Sequence, residues 1–243
     1  MAIQTARDFR VYADEFDLSG VLRSVALTLG SQVVDATTLL HTTSANLAGL
    51  KTFGCGITGL TDPVAAYDGA INTQMGRASC VATIAVNNTA GSIAYFAQGV
   101  AANYNFGAQV GDAFEFDATL AGSSAGGPLV RGVVEQAAGT VSSSSNTAGR
   151  LIGAVSSTQR VYCAFHAFTK SGTSPTLAVK VQSDDNSGFT SPTDRITLTT
   201  FSDVGAQFGS AAGAITDTYW RFNYVIGGTS SPNYTVIGVI GII

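Results

Sequence analysis

Charged side chains are scarce in this sequence. Twelve Lys and Arg and sixteen Asp and Glu are spread over 243 residues. That 12% share is about half of the roughly 25% usual in globular domains. Coiled coils and helical bundles are rich in Glu, Lys, Leu and Arg, so both classes are excluded. A net charge of −4 also excludes a basic surface built to neutralise phosphates. An apolar fraction of 45% is too high for a charged disordered chain. Cysteine is nearly lacking. Cys55, Cys80 and Cys163 are odd in number and far apart, with no C-x-x-C. This argues against a disulfide framework or a zinc site, and points to synthesis in a reducing cytoplasm.

Long apolar runs are lacking too. Ala78–Gly111 carries no charge, but Asn87, Asn88, Gln98, Asn103 and Asn105 break it well short of the roughly 18 residues a span needs. The uncharged Phe222–Ile243 is interrupted by Gly-Gly-Thr-Ser-Ser-Pro-Asn. The opening Met-Ala-Ile-Gln-Thr-Ala-Arg-Asp has no basic-then-apolar pattern, so no secretory signal is expected there. Asn87-Asn-Thr89 and Asn233-Tyr-Thr235 are therefore read as sequons without consequence.

What the chain does have is small residues and short β-branched runs. Gly, Ser and Thr make up about a third of it. Val21–Leu29 alternates over its second half, with Val25, Leu27 and Leu29 on one face and Gly30 ending the run. Phe114, Phe116 and Ala118 alternate against Glu115, Asp117 and Thr119. Further strands are expected at 53–60, 81–86, 92–96, 129–136, 159–169, 176–182, 195–200, 219–226 and 234–242, separated by Gly, Pro and Asn turns. This spacing predicts an all-β sandwich or barrel. Helix is scarce, and its best candidate is Leu39–Leu50. The Ser-rich stretch 142–146 is a plausible boundary. Gly-Ala-Gln-Val-Gly-Asp at 107–112 echoes Gly-Ala-Gln-Phe-Gly-Ser at 205–210, too short a match for a duplication.

The motifs that suggest chemistry each have a plainer reading. Gly54-x-Gly56-x-x-Gly59 fits a dinucleotide turn in spacing, but no helical period follows to hold a pyrophosphate, so it reads as a Gly-rich strand. Gly126-Gly127-Pro128 resembles a serine-protease signature, yet Ala125 stands where the nucleophile belongs, with only His41 and His166 as bases. Cys163 and His166 fall on opposite faces of an extended strand. Asp184-Asp-Asn-Ser-Gly188 lacks the ligand alternation of a calcium loop and reads as a solvated turn, as do Asp14, Glu15 and Asp17. No catalytic residue, cofactor site or metal site is expected, and the chain reads as a non-enzyme.

One segment is specific. Asp17-Leu-Ser-Gly20 is followed by a strand, then Val33-Val34-Asp35-Ala36-Thr37-Thr38-Leu39, then Asn46-Leu47-Ala48-Gly49-Leu50, then Gly59-Leu60-Thr61-Asp62. Residues 9–62 resemble the tail tube (major tail) proteins of long-tailed bacteriophages. Val110-Gly-Asp112 with Phe114-Glu-Phe-Asp117, Val130-Arg-Gly-Val-Val134 and Leu151-Ile-Gly-Ala-Val155 are similar to later strands of such virion proteins. The resemblance implies an all-β, sandwich or barrel-like tail tube fold with a short helix or loop near 39–50. It implies a tail-tube-like domain over 1–150 and a second β-sandwich half over 151–243, continuous with the first or separate from it. It also implies a virion structural protein whose homohexameric rings stack around a DNA ejection channel. Its partners would be its own copies, a tape measure protein, the tail tip and the head–tail connector, with DNA passing unbound. The expected subunit interface is Asp35, Thr37, Thr38, Leu39, Leu47, Leu50, Val239 and Ile240. The expected site is the virion tail after synthesis in the host cytoplasm, with no membrane contact. Few charges and many small residues suit a surface covered by neighbours. Two other readings stay open: a head decoration or tail-accessory protein, and a carbohydrate-binding adhesin using Tyr219, Trp220 and Tyr224.

Overall fold

The computed structural model describes residues 6–40, 42–61, 66–123 and 127–243. Fourteen strands follow in chain order: β1 Arg10–Ala13, β2 Phe16–Asp17, β3 Leu22–Asp35, β4 Asn46–Leu60, β5 Cys80–Ala85, β6 Ile93–Gly107, β7 Glu115–Gly122, β8 Val130–Val141, β9 Ser145–Asn146, β10 Arg150–Leu151, β11 Arg160–Asp184, β12 Thr193–Thr197, β13 Gly205–Ala212 and β14 Tyr219–Ile242. The fold is all-β, as expected. The one α-helix among the described residues, α1, spans Ala66–Gln74. Among the described residues of 39–50 no helix forms. The segment's described residues before Asn46 are turn and loop, and the rest is the start of β4, where Leu47 and Leu50 are held in a ladder with β3 or lie beside it. Gly30 does not end its strand either; it pairs with Thr52 inside β3. No helix is long and apolar enough to cross a membrane among the described residues.

The chain divides into two compact units. The first takes Met1–Gly20, Cys80–Gln98 and Val130–Ile243, and the second takes Val21–Ser79 and Gly99–Leu129. The boundary expected at residue 150 lies inside the first unit.

The first unit is organised by the long antiparallel ribbon of β11 and β14, paired from Val161–Ile242 at one end to Asp184–Tyr219 at the other. Bulges between Ala167 and Thr176 break the ribbon into two halves. At this corner Gly172 (φ +98°) and Gly228 (φ +115°) take up left-handed backbone. A Cβ on Gly172 would lie 2.7 Å from Pro232. The two halves share one core: Val161, Cys163 and Phe165 meet Val179, Val181, Trp220 and Phe222. The other face of the first half builds a second core from Ala164, Ile237 and Val239 with Tyr12, Phe96 and Val134. A strand buried on both faces has no polar alternation, which explains the continuous apolar run at the end of β14. Its two edges are taken by β11 and β8.

The second unit is a four-stranded antiparallel sheet in the order β3, β4, β7 and the latter part of β6. One face is apolar, with Val25, Ile57 and Ala118 in one row and Leu27, Cys55 and Leu120 in the next. Helix α1 lies on this face, with Tyr67 against Phe116.

Candidate assembly surface

The ladder of β3 and β4 runs on past β7. The pairing of β4 with β7 ends at Gly54, while the pairing with β3 continues to Asn46. The result is a two-stranded arm. Its tip is closed by side-chain hydrogen bonds. The Asp35 carboxylate accepts the N–H of Thr37 at 2.8 Å and its hydroxyl as well. The Thr37 hydroxyl oxygen accepts the N–H of Ala45 at 2.9 Å, and Ala36 N–H donates to the Ala45 carbonyl. An Asp side chain that bonds the backbone two residues on is a local turn former. These bonds hold the Asp35 carboxyl below its ordinary range, the Thr37 hydroxyl contributing most.

Beyond β7 no second layer covers the arm among the described residues, and its apolar side chains are bare. Leu29, Val33, Val34, Leu39, Leu40, Leu47 and Leu50 are half of the large apolar side chains exposed in the described residues. Leu47 is 61% exposed, Leu50 77%, and Leu39 fully. The register of β3 and β4 shifts between Ser31 and Val33, a bulge that interrupts the side-chain alternation of β4 between Leu47 and Leu50. Strand β3 pairs with β4 alone among the described residues, so its outer edge carries unpaired backbone groups. An open, apolar edge is an aggregation hazard unless something covers it. A smaller exposed cluster, Phe106, Val110 and Phe114, sits around the turn between β6 and β7 at the other end of the sheet.

The second face of the sheet is polar and small. Ser24, Thr58, Asp117 and Asn105 form one row, and Ala26, Gly56, Thr119 and Asn103 the next. The hydroxyls of Ser24 and Thr58 are 2.7 Å apart, and the amides of Asn103 and Asn105 donate to Asp117 at 3.1 and 3.3 Å. Arg23 pairs with Glu115. The face carries no surplus of positive charge.

Six of the eight expected interface residues thus come together on the arm: Asp35, Thr37, Thr38, Leu39, Leu47 and Leu50. Val239 and Ile240 do not. Both are 0% exposed inside the first unit and have no surface to offer a neighbour. Val33, Val34 and Leu40 are exposed there as well. Their exposure follows from the length of the arm, which only the pairing of β3 and β4 reveals.

The remaining candidates have structural roles. Gly54, Gly56 and Gly59 lie inside β4, where a Cβ on Gly59 would be 2.6 Å from the Val21 carbonyl. Cys163 and His166 do face apart. The Cys163 side chain joins the first core, while His166 stacks on Phe168 and lies tilted against Tyr12. Asp184 accepts the N–H groups of Asn186 and Ser191 in a tight turn. Asp17 accepts the N–H of Ser19, and Asp14 accepts that of Val81. Trp220 is buried and donates to the Gly153 carbonyl at 2.8 Å. It cannot serve a sugar-stacking platform with Tyr219 and Tyr224. His41 and Ala125 lie outside the described residues. Among the described residues no three His, Cys, Asp or Glu side chains are placed to share a metal ion.

No family model matches the chain, and no curated protein matches it. Solved structures do. A chain from the virion of the native gene transfer agent particle is 14% identical over 51% of this chain and 98% of that one, with a TM-score of 0.40. A chain from the sheath–tube complex of an extracellular contractile injection system in its extended state is 13% identical over 54% and 91%, with a TM-score of 0.42. The Dit protein of phage SPP1, described as a paradigm of the hub adsorption apparatus in phages infecting Gram-positive bacteria, is 10% identical over 97% and 99%, with a TM-score of 0.35.

Proposed function

We propose that this chain is a structural subunit of a phage tail tube, whose copies join into hexameric rings that stack around a channel for DNA. The observation that carries this reading is the bare arm of β3 and β4. Among the described residues, half of the exposed large apolar side chains sit on this two-stranded element and its tip, beside an open edge. Burying a Val or Leu side chain is worth about 1.5–3 kcal/mol, so covering seven of them offers on the order of 10 kcal/mol per copy before association entropy is subtracted. A second copy placed edge to edge covers the arm and pairs β3. Repetition of that contact closes a ring and leaves no free edge. The hexamer comes from the sequence resemblance, as does the location in the virion tail with tape measure, tail tip and connector proteins as neighbours. The polar face of Ser24, Thr58, Asp117 and Thr119 suits a wall along which DNA passes without being held. The role is mechanical and calls for no catalytic residue.

Negative-stain microscopy of the purified protein tests the reading. Rings or tubes are expected from the native chain. The pair Leu47→Asp and Leu50→Asp is expected to stay folded, because both side chains are already in water, and to remain monomeric, because assembly buries unpaired charge at a cost of several kcal/mol. Tubes from the double variant would overturn the assignment of the arm. Trimers from the native chain would favour a decoration protein.

A further inference from the structure

The first unit carries an open cleft of about 610 Å³ whose walls include Gly91, Arg131, Arg150 and Leu151. Its floor is bare backbone, because Gly132 and Gly241 pair there across β8 and β14. A Cβ on Gly132 would lie 2.2 Å from the Ile240 carbonyl oxygen, so no side chain fits. Arg150 lies over Gly91, where a Cβ would be 2.7 Å from a guanidinium nitrogen. Its Nε is 3.0 Å from Glu135. The Glu135 side chain is only 1% exposed, and its other oxygen accepts the Gly149 N–H. This carboxylate is therefore turned into the wall. The Arg131 side chain is exposed and makes no hydrogen bond or ion pair among the described residues. Leu151, 67% exposed, adds an apolar rim beside the two cations. The cleft fits a short segment that presents a carboxylate next to an aliphatic side chain.

The chain itself contains such a segment. In the turn between β6 and β7, Val110 is fully exposed and Gly111 takes a φ of +99°. The Asp112 N–H closes the turn on the Gln109 carbonyl at 3.0 Å. Asp112 is exposed and its side chain has no partner among the described residues; the nearby Arg23 is committed to Glu115. We infer that the turn Gln109–Asp112 of one copy docks in the Arg131–Arg150 cleft of a second copy, with Asp112 on the guanidinium groups and Val110 against Leu151. The two patches differ, so the contact is head-to-tail and propagates from copy to copy. The inference rests on the self-assembly proposed above and adds the residues of a second contact, distinct from the arm.

Charge reversal tests it. Asp112→Arg and Arg131→Asp are each expected to raise the concentration needed for assembly at least about tenfold, because each puts like charges together. The combined variant is expected to return to within about threefold of the native chain, the signature of a direct pair. Sedimentation velocity reads assembly, and circular dichroism checks the fold of each variant. Asp112→Asn, which removes the charge and keeps the shape, is expected to fall between native and reversed. Single reversals that assemble like the native chain, or a combined variant no better than the worse single, would overturn this contact and leave the arm reading intact. A native chain that stays monomeric at every concentration would overturn both.

Discussion

The ring of Phe165 meets that of Phe222 edge to face, with centroids 5.2 Å apart and planes at 68°. Along the ribbon the two are far apart: Phe165 pairs with Gly238, and Phe222 pairs with Val181. They touch because the ribbon of β11 and β14 doubles over at its bulged corner. Gly238 lies beneath both rings, where a Cβ would be 2.6 Å from Phe222 and 2.8 Å from Phe165.

Gly238→Ala is therefore expected to destabilise the protein by about 1–3 kcal/mol, since a well-packed aromatic pair must shift to admit a methyl group. Gly56→Ala is the control. That position is also inside a strand, but a Cβ there meets nothing within 4 Å. It is expected to be neutral or slightly stabilising, because Ala loses less backbone freedom on folding. Urea midpoints with unchanged slopes decide between the two outcomes.

His166 makes acid the weak side of the fold. The imidazole is fully buried. Its Nδ1–H donates to the Asp14 carbonyl at 2.8 Å, so Nε2 accepts from the Thr83 hydroxyl at 2.8 Å. Burial pulls its pKa from 6.5 down to about 4, with the Asp14 bond working against the shift. Between those values the unfolded chain binds a proton that the folded chain refuses. Stability is intact above pH 6.5 and falls as the pH drops towards 4, by about 3 kcal/mol in all. Glu135 opposes this loss, because burial raises its carboxyl pKa. The test is therefore the difference between the native chain and His166→Gln. The variant is expected to start less stable at pH 7.5 and to lose distinctly less between pH 6.5 and 4.5. Parallel melting curves across that window would show that His166 does not set the acid limit.

The segment Thr235–Ile243 is expected to be indispensable for folding of a single copy. Val236, Ile237, Val239 and Ile240 are buried on both faces, and both strand edges are bonded within the chain. Deletion removes the middle of a sheet, and no second copy can compensate by offering the same strand, because each copy uses its own. The truncated chain is expected to be insoluble or unfolded by circular dichroism. A soluble, folded truncation that fails only to assemble would instead mark the strand as exchanged between copies.

Much of this was legible in residue order. Alternation over Phe114–Leu120 and the apolar run near the end of the chain gave strands in the right places, and the Gly, Pro and Asn turns separated most of them. Asp35 and Thr37 stood out only through the family resemblance. Three things were not legible. The ribbon of β11 and β14 reads as four strands, because its corner residues, Gly172 to Pro175 and Gly227 to Pro232, look like loops. Strand β13 is hidden because Gly205–Ala212 has little β-branched content. The arm was not visible because its exposure depends on where β7 stops covering β4, a property of pairing and not of composition. The same limit explains Val239 and Ile240: an uncharged run signals burial, and sequence does not say whether the covering surface belongs to the same chain.

Duplex DNA should pass this protein without being held. The face of Ser24, Thr58, Asp117, Thr119, Asn103 and Asn105 offers hydroxyl and amide groups, and its carboxylates outnumber its cations. Affinity for a duplex comes mainly from releasing the counterions of neutralised phosphates, and nothing on this face neutralises one. No binding is expected at physiological salt by fluorescence anisotropy. Thr119→Lys with Asn103→Lys places two ammonium groups on the face. If that face lines the channel, assembled tubes of this variant should retain duplex DNA with a salt slope of about −0.9 per phosphate contacted, steepening with the number of copies that face the duplex. The unassembled variant should bind far more weakly, because each copy contributes only its own pair. Equal retention by tubes and by single copies would place these residues on the outside. Salt-sensitive, submicromolar binding by the native chain would argue for a nucleic-acid-binding role in place of a conduit.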